Sequence, residues 1–243
     1  MSIDVVDLRN FYAQRLGIAA RRFVGRGIRS RFSDTRGQRV LGIGYATPYL
    51  GLFREEAERS LAFMPSAQGV VKWPSARPGL SALVDELDLP LSDAAVDRVL
   101  LVHALEMAPD PGALLREVWR VLAAGGRLLA VVPNRRGLWA RMDTTPFGHG
   151  RPYSRSQINF LLRETLFTPV GWGEALYVPP IAHGWFLRSA VAWERTGATI
   201  SAPFAGVHIV EATKQVYRAI PARRERARLM PALEPALAPS PGG

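Results

Sequence analysis

The sequence predicts an α/β protein on a doubly wound, mostly parallel sheet with helices on both faces. Two observations carry this. Short, almost continuously apolar runs recur at 39–44, 60–64, 81–85, 96–103 and 126–133. A strand that reads as an unbroken apolar run, rather than as an alternation, is buried on both faces, the condition of a parallel sheet covered by helices. Segments with helical spacing alternate with these runs, which is the pattern of strand–helix–strand units. The chain has 243 residues, 48% of them hydrophobic, enough to bury a sizeable core.

The elements follow in order. Residues 4–24 place Val5, Leu8, Tyr12, Leu16, Ala19 and Phe23 at helical spacing, with Arg9, Arg15, Arg22 and Arg26 opposite, and predict one helix. "RVLGIG" (39–44) is the first strand. "TPYLGLFREEAE" (47–58) is a helix with its apolar side at Tyr49, Leu52 and Phe53. "SLAFM" (60–64), "SALVD" (81–85) and "VDRVLLVH" (96–103) are the next three strands. "DPGALLREVWRVLAAGG" (110–126) is the clearest helix: Asp110 caps it, Pro111 fits its first position and Gly125 its end. "GRLLAVVP" (126–133) is the fifth strand. A Gly/Pro-marked, arginine-rich connection covers 134–155, and 155–167 is a further helix. Residues 171–180 and 205–218 read as two late strands with a helix near 182–196 between them. The basic, then Pro/Ala-rich end, 221–243, has the composition of a disordered tail. We therefore expect one domain over 1–220, with N-terminal helices in 1–36 and an arginine/aromatic loop at 134–155.

The net charge is +10, and of 31 basic residues only Lys72 and Lys214 are lysine. An arginine surface for phosphates, nucleic acid or anionic lipid is one reading. A GC-rich coding bias, which raises Arg, Ala, Gly and Pro together, accounts for all four and is preferred. Nucleic-acid binding rests on charge alone and is the least favoured function. The chain has no cysteine, which excludes disulfides, zinc thiolates and a cysteine nucleophile. The start, "MSIDVVDLRN", lacks the basic-then-apolar pattern of a signal peptide, and no apolar run reaches bilayer length, so a cytoplasmic protein without a membrane span is expected.

The first strand–turn–helix, "GIGYAT", has the spacing G-x-G-x-x-T. A dinucleotide site asks for a third glycine and an acid about 20 residues on; Thr47 and Met64 stand there, so nicotinamide and flavin chemistry are not expected. His149 has no second His or acid at ligand spacing, so no metal is expected. Arg135, Arg136, Arg141, Arg151 and Arg155 surround Trp139, Phe147 and Tyr153. That interleaving suits an anionic acceptor, a nucleic acid or a protein partner, and equally a solvated loop with stacked arginines.

Read together, "VLGIGYATPYL", "AFMPS", "LVDELDLPLSDAAVDRVLLVHALEMAPDP" and "LLREVWRVLAAGGRLLAVVPN" resemble class I S-adenosylmethionine-dependent methyltransferases of the small-molecule branch. The likeness covers about residues 37 to 135, and the run from Asp85 to Pro133 matches in order, spacing and residue type. "FYAQRLG" (11–17) resembles the helix with which this branch covers its cofactor. The resemblance implies a seven-stranded Rossmann-like sheet with an antiparallel last strand, S-adenosylmethionine as cofactor, and a small or polar acceptor. It implies a cofactor side of Gly42, Gly44, Tyr45, Thr47, Met64, Asp85, Glu86 and His103. Asp85 matches the acid that accepts from the adenine amino group. His103 stands where the methionine part and the acceptor meet, and is the one candidate base. An acceptor or partner side of Tyr12, Asn134, Arg136, Trp139, Phe147 and Tyr153 completes the expected site.

The departures from the family are specific. Gly42 replaces the strand-one acid that meets the cofactor's ammonium, Ala46 and Pro48 replace glycines, and Met64 replaces the ribose-binding acid. One hydrogen bond to a charged group contributes roughly 1.5–3 kcal/mol, so losing the ribose acid alone weakens binding about 10- to 150-fold. Thr47 before Pro48 is a good cap, so the turn is expected to deliver a helix N-terminus to the ligand. Two functions remain open: methyl transfer, and a degenerate, non-catalytic domain that acts as a protein-partner or regulatory module.

Overall fold

The computed structural model describes residues 3–76, 78–180 and 205–216. Seven strands form one sheet: β1 (Arg39–Gly44), β2 (Arg59–Pro65), β3 (Ser81–Val84), β4 (Val96–Val102), β5 (Leu122–Pro133), β6 (Phe167–Ala175) and β7 (Val207–Lys214). Their order is β3-β2-β1-β4-β5-β7-β6. The first five strands are mutually parallel, and β7 runs antiparallel to both β5 and β6. The chain winds outward from β1 to β3, then crosses to β4 on the other side of β1. The order therefore reverses between β1 and β4, where doubly wound sheets bind ligands beyond the carboxyl ends of their strands.

The buried strand residues divide by parity, which explains why the strands read as unbroken apolar runs. Val40, Leu100, Val102, Leu129 and Val131 pack toward α1 (Val5–Ala13) and α2 (Arg15–Arg31). Leu41, Ile43, Val99, Leu101, Leu128 and Ala130 pack toward α4 (Pro111–Val121) and α5 (Arg155–Glu164). α4 starts as its sequence predicts, with Asp110 Oδ1 accepting the Ala113 N–H at 2.9 Å and Pro111 in the first turn. α5 carries a reciprocal cap: Ser154 Oγ accepts from Gln157 N and Gln157 Oε1 accepts from Ser154 N.

Several boundaries differ from expectation. The single helix over 4–24 is two helices, broken at Gln14, whose backbone is extended and whose N–H turns back to the Phe11 carbonyl. The corner is tight: a Cβ on Gly17 would lie 2.7 Å from Tyr12 Cα, so the glycine is what lets α2 fold back on α1. The helix over 47–58 shrinks to the four residues of α3 (Thr47–Leu50), continued by hydrogen-bonded turns through Ala57. α4 ends at Val121, and β5 begins at once because Leu122 already pairs with Val96. Gly125, expected at the helix end, lies inside β5. β6 runs from Phe167, four residues earlier than expected, since Phe167 pairs with Lys214 at the far end of β7. The helix near 182–196, the domain boundary at 220 and the tail fall outside the described residues.

Arg31, near the end of α2, reaches across to the edge strand. Its guanidinium donates to the Trp172 carbonyl and lies over Gly171 and Gly173, where a Cβ would stand 2.5 Å and 3.0 Å from its nitrogens. Among the described residues no helix is long and apolar enough to cross a membrane.

Candidate functional site

The first turn leaves β1 at Gly44, whose φ of 79° is open to glycine and whose Cβ, if present, would strike the Val102 carbonyl. Tyr45 N–H donates to that same carbonyl at 2.8 Å. Gly42 has its own constraint: a Cβ there would stand 2.7 Å from Ala46 Cβ and 2.8 Å from Leu50 Cδ1. The departures at 42 and 46 are thus one coupled exchange, in which the Ala46 methyl fills room that a side chain at 42 would need. The expected cap is corrected here. Ala46, not Thr47, is the N-cap, it makes no side-chain cap bond, and Thr47 is the first helical residue. With four largely buried residues, α3 presents no helix N-terminus of consequence to a ligand.

Met64, next to last in β2, is fully buried, its sulfur accepting the Val71 N–H at 3.4 Å. Asp85 is exposed just past β3, with Oδ1 held by the Leu87 N–H at 2.9 Å, and Glu86 beside it is buried. His103 follows β4 with φ 49° and is buried. Its Nε2 meets Tyr12 Oη at 2.9 Å, and Tyr12 Oη meets Tyr49 Oη at 3.1 Å. Its Nδ1 lies 3.2 Å from Glu106 Oε1, and its carbonyl accepts from Gln68 Nε2 at 3.0 Å. The rings close the space over the turn: Tyr12 stacks on Tyr45 with centroids 5.6 Å apart, and Phe147 lies 4.9 Å from His103.

Burial pushes the Tyr12, Tyr45 and Tyr49 hydroxyls above their ordinary pKa, with the Tyr49 hydroxyl adding to the effect on Tyr12. All three are neutral hydroxyls near pH 7 and none is a resting phenolate base. The corner they share holds polar atoms without hydrogen-bond partners: Gln68 Oε1, His103 Nδ1 and both Glu106 oxygens. The Glu106 side chain is only 1% exposed, and its 3.2 Å approach to His103 Nδ1 is a close contact, not a well-directed hydrogen bond. Folded proteins seldom leave a carboxylate in that state without a functional reason.

The structure brings Tyr12, Gly44, Tyr45, His103 and Phe147 together, with Met64 near the end of the neighbouring strand. It separates the rest of the expected acceptor side. Trp139 is buried, donates to the Val178 carbonyl at 2.7 Å and packs edge-on against Phe147. Tyr153 is buried, with its hydroxyl on the Leu105 carbonyl at 3.2 Å and its pKa pushed up to about 12, chiefly by burial. Asn134 Nδ2 donates to the Ala205 carbonyl and Arg136 is exposed. The loop's aromatics point into the core while its arginines point out, so they do not interleave on one surface. Sequence reasoning missed Tyr49, Gln68 and Glu106. Glu106 had a signal, since it stands three residues after His103 in "HALE". Gln68 had none. Among the described residues no group of three or more metal-type side chains converges.

Comparisons with known proteins agree with this architecture. Residues 24–130 match the methyltransferase domain family. An S-adenosylmethionine-dependent methyltransferase from Archaeoglobus fulgidus has a similar structure, at 18% identity and a TM-score of 0.60, with 84% of this chain and 96% of that chain covered. A Haloferax volcanii complex of the Trm112 methyltransferase activator with a methyltransferase matches at 17% identity and a TM-score of 0.56, covering 83% and 97%. The cyclase SpnF matches at 20% identity and a TM-score of 0.54, covering 80% and 81%. At such identities these likenesses speak for the fold alone. Among curated protein sequences none is significantly similar to this chain. The sheet order, the glycine turn at the switch point and the match over residues 24–130 support a class I S-adenosylmethionine-dependent methyltransferase domain, with S-adenosylmethionine as its cofactor.

Proposed function

We propose that the chain transfers a methyl group from S-adenosylmethionine to a small polar acceptor, with His103 as the proton-accepting group and Glu106 holding it. The observation that carries this is the buried Glu106–His103–Tyr12 line at the switch point. Toward the methionine end, where Gly42 offers no acid, the Glu106 carboxylate has both oxygens without hydrogen bonds. Toward the adenine end, Asp85 is exposed with only Oδ1 engaged. The ribose position offers Met64 instead of an acid. These residues fit the cofactor at its two ends, and when bound it supplies an electrophilic methyl on a sulfonium sulfur.

The protein's part is positioning and proton handling. A carboxylate beside Nδ1 favours the tautomer with the proton on that nitrogen, which leaves the Nε2 lone pair toward Tyr12 Oη. An acceptor hydroxyl in the place of the Tyr12 hydroxyl would give its proton to Nε2, as general-base catalysis requires. The second reading, a non-catalytic partner module, draws on the same cluster: Tyr12 and Tyr45 occupy the space over the turn, and two acids of the family pattern are absent.

Calorimetry of the full chain with S-adenosylmethionine and S-adenosylhomocysteine separates the two. Two lost charged contacts at roughly 1.5–3 kcal/mol each lead us to expect dissociation constants at or above about tens of micromolar. Asp85→Ala should weaken binding roughly tenfold, the equivalent of one such contact. Nanomolar affinity would show that the contacts have been misassigned. Absence of binding at millimolar ligand would favour the partner module.

A further inference from the structure

A second cavity shares no residue with the cluster around Tyr12. It has a volume of about 620 Å³ and lies between the N-terminus of α5 and the ends of β5, β6 and β7, lined by Asn134, Arg136, Arg155, Trp172, Glu174 and His208 among others. Small-molecule sites span roughly 300–1,000 Å³ and combine a few fixed polar groups with apolar walls.

Its floor is a buried histidine. His208 is 4% exposed, on β7. Its Nδ1 lies 3.2 Å from Glu174 Oε1, and Glu174 Oε2 accepts the Tyr177 hydroxyl at 3.1 Å. The His208 contact, assisted by Tyr177, holds the Glu174 carboxyl below its ordinary pKa despite burial. An ionised carboxylate beside Nδ1 keeps a proton there and fixes the ring's orientation. His208 Nε2 has no partner among the described residues, while the ring lines the cavity. A buried imidazole whose Nδ1 faces a carboxylate without a well-directed hydrogen bond, and whose Nε2 is unpaired, is a prepared contact for a ligand.

The walls are cationic. Arg155 lies over the Trp172 ring, 4.8 Å from its centroid, so its guanidinium is held in one place. Arg136 lines the same cavity. Neither has an acidic side chain as an ion-pair partner among the described residues. The one carboxylate in the cavity is already engaged on both oxygens. The Arg155 charge also acts on Glu174, but neither guanidinium is locked in an ion pair with it, and forks of this kind match the oxygens of carboxylates and phosphates. Ser154 and Ser156 at the start of α5 add hydroxyls to the same wall.

We propose that this cavity binds a small organic anion, a carboxylate or a phosphate ester, gripped by Arg136 and Arg155 with His208 Nε2 as its buried polar contact. The proposal rests on these residues alone and does not depend on the methyl-transfer reading.

Calorimetry of the full chain with phenyl phosphate and with benzoate, against benzyl alcohol as the neutral match, tests it. At least one anion should bind about tenfold or more tightly than benzyl alcohol, as a charge-assisted contact implies; the stronger of the two identifies the oxygen group preferred. The double variant Arg136→Gln/Arg155→Gln changes exposed side chains and should weaken that anion at least about tenfold. His208→Gln should weaken it too, whereas Asp85→Ala should leave it unchanged. Equal affinity for the anions and benzyl alcohol would overturn the site, and so would anion binding that survives the double arginine variant.

Discussion

His103 Nδ1 and Glu106 Oε1 stand 3.2 Å apart, three residues apart in sequence, in a corner where neither side chain is more than 1% exposed. A pair built for stability would be expected to lose stability when one charge is removed, whereas one kept for function need not. Glu106→Gln keeps the shape and removes the charge. Both Glu106 oxygens lack hydrogen-bond partners, and a buried carboxylate in that state is costly to hold, so neutralising it removes a penalty. We expect Glu106→Gln to melt at or above wild type while its affinity for S-adenosylhomocysteine falls roughly tenfold, the loss of one charge-assisted bond. A variant that melts several degrees lower with unchanged affinity would make the pair structural.

Met64 offers the converse experiment. It is fully buried and its sulfur already accepts a backbone N–H. Met64→Asp places a carboxylate among apolar neighbours, and together with the lost packing this should cost about 2–5 kcal/mol. Thermal melts with and without S-adenosylmethionine are expected to show a lower Tm and no larger ligand-induced shift. A larger shift would mean that the ribose binds at this strand end in the family's way.

The glycine turn makes a prediction about coupling. Gly42→Asp alone drives its Cβ into Ala46 and Leu50. Pairing it with Ala46→Gly clears the closest atom. Denaturant unfolding of the two single variants and the double should give an interaction of about 0.5–3 kcal/mol in favour of the double. Simple additivity would show that the two positions are independent.

These cases mark what the sequence could and could not say. The apolar runs at 39–44, 96–103 and 126–133 became β1, β4 and β5 because buried parallel strands carry their signal locally. Asp110 and Pro111 announced α4 for the same reason. The break at Gln14 was invisible because the apolar spacing runs straight through it; the cause is a close approach of Gly17 to Tyr12, a tertiary fact. The arginine/aromatic loop read as a surface because composition does not say which way a ring points. His103 was legible from its place at a strand end. Glu106 and Gln68 gain meaning only when β2 and β4 lie side by side with β1.

Asp97 on β4 grips Arg39 on β1 through two side-chain bonds of 3.0 Å and also accepts the Arg39 N–H at 2.9 Å. Arg39 holds the Asp97 carboxyl below the usual range. Because the folded value is depressed, the contribution is present above the unfolded value, about 3.9, and is lost as pH falls through the folded one. Half-exposed, such a pair contributes about 1 kcal/mol or less. Asp97→Asn should lower stability modestly at pH 7 and make the loss of stability below about pH 4 shallower, as followed by urea unfolding across pH.

α2 carries six arginines and no acid, and Arg15, Arg21, Arg22 and Arg26 are exposed. Non-specific attraction to nucleic acid through such a face depends on counterion release and falls steeply with salt. Fluorescence anisotropy with a short duplex should show weak association at low salt and essentially none at about 0.15 M. Tight binding that survives there would make nucleic acid a partner.

The reach of Arg31 bears on how copies of this chain avoid one another. β6 is an edge strand, the kind of surface onto which another molecule can add a strand of its own. The bare backbone at Gly171 and Gly173 gives the guanidinium a bed, and the Trp172 carbonyl it takes is withdrawn from the row that an incoming strand would read. A slip of β6 by one residue would put Trp172 under the cation in place of glycine. One arginine thus ties the register of the edge strand to the end of α2, on the same β6 stretch, Trp172 and Gly173, that borders the anion cavity.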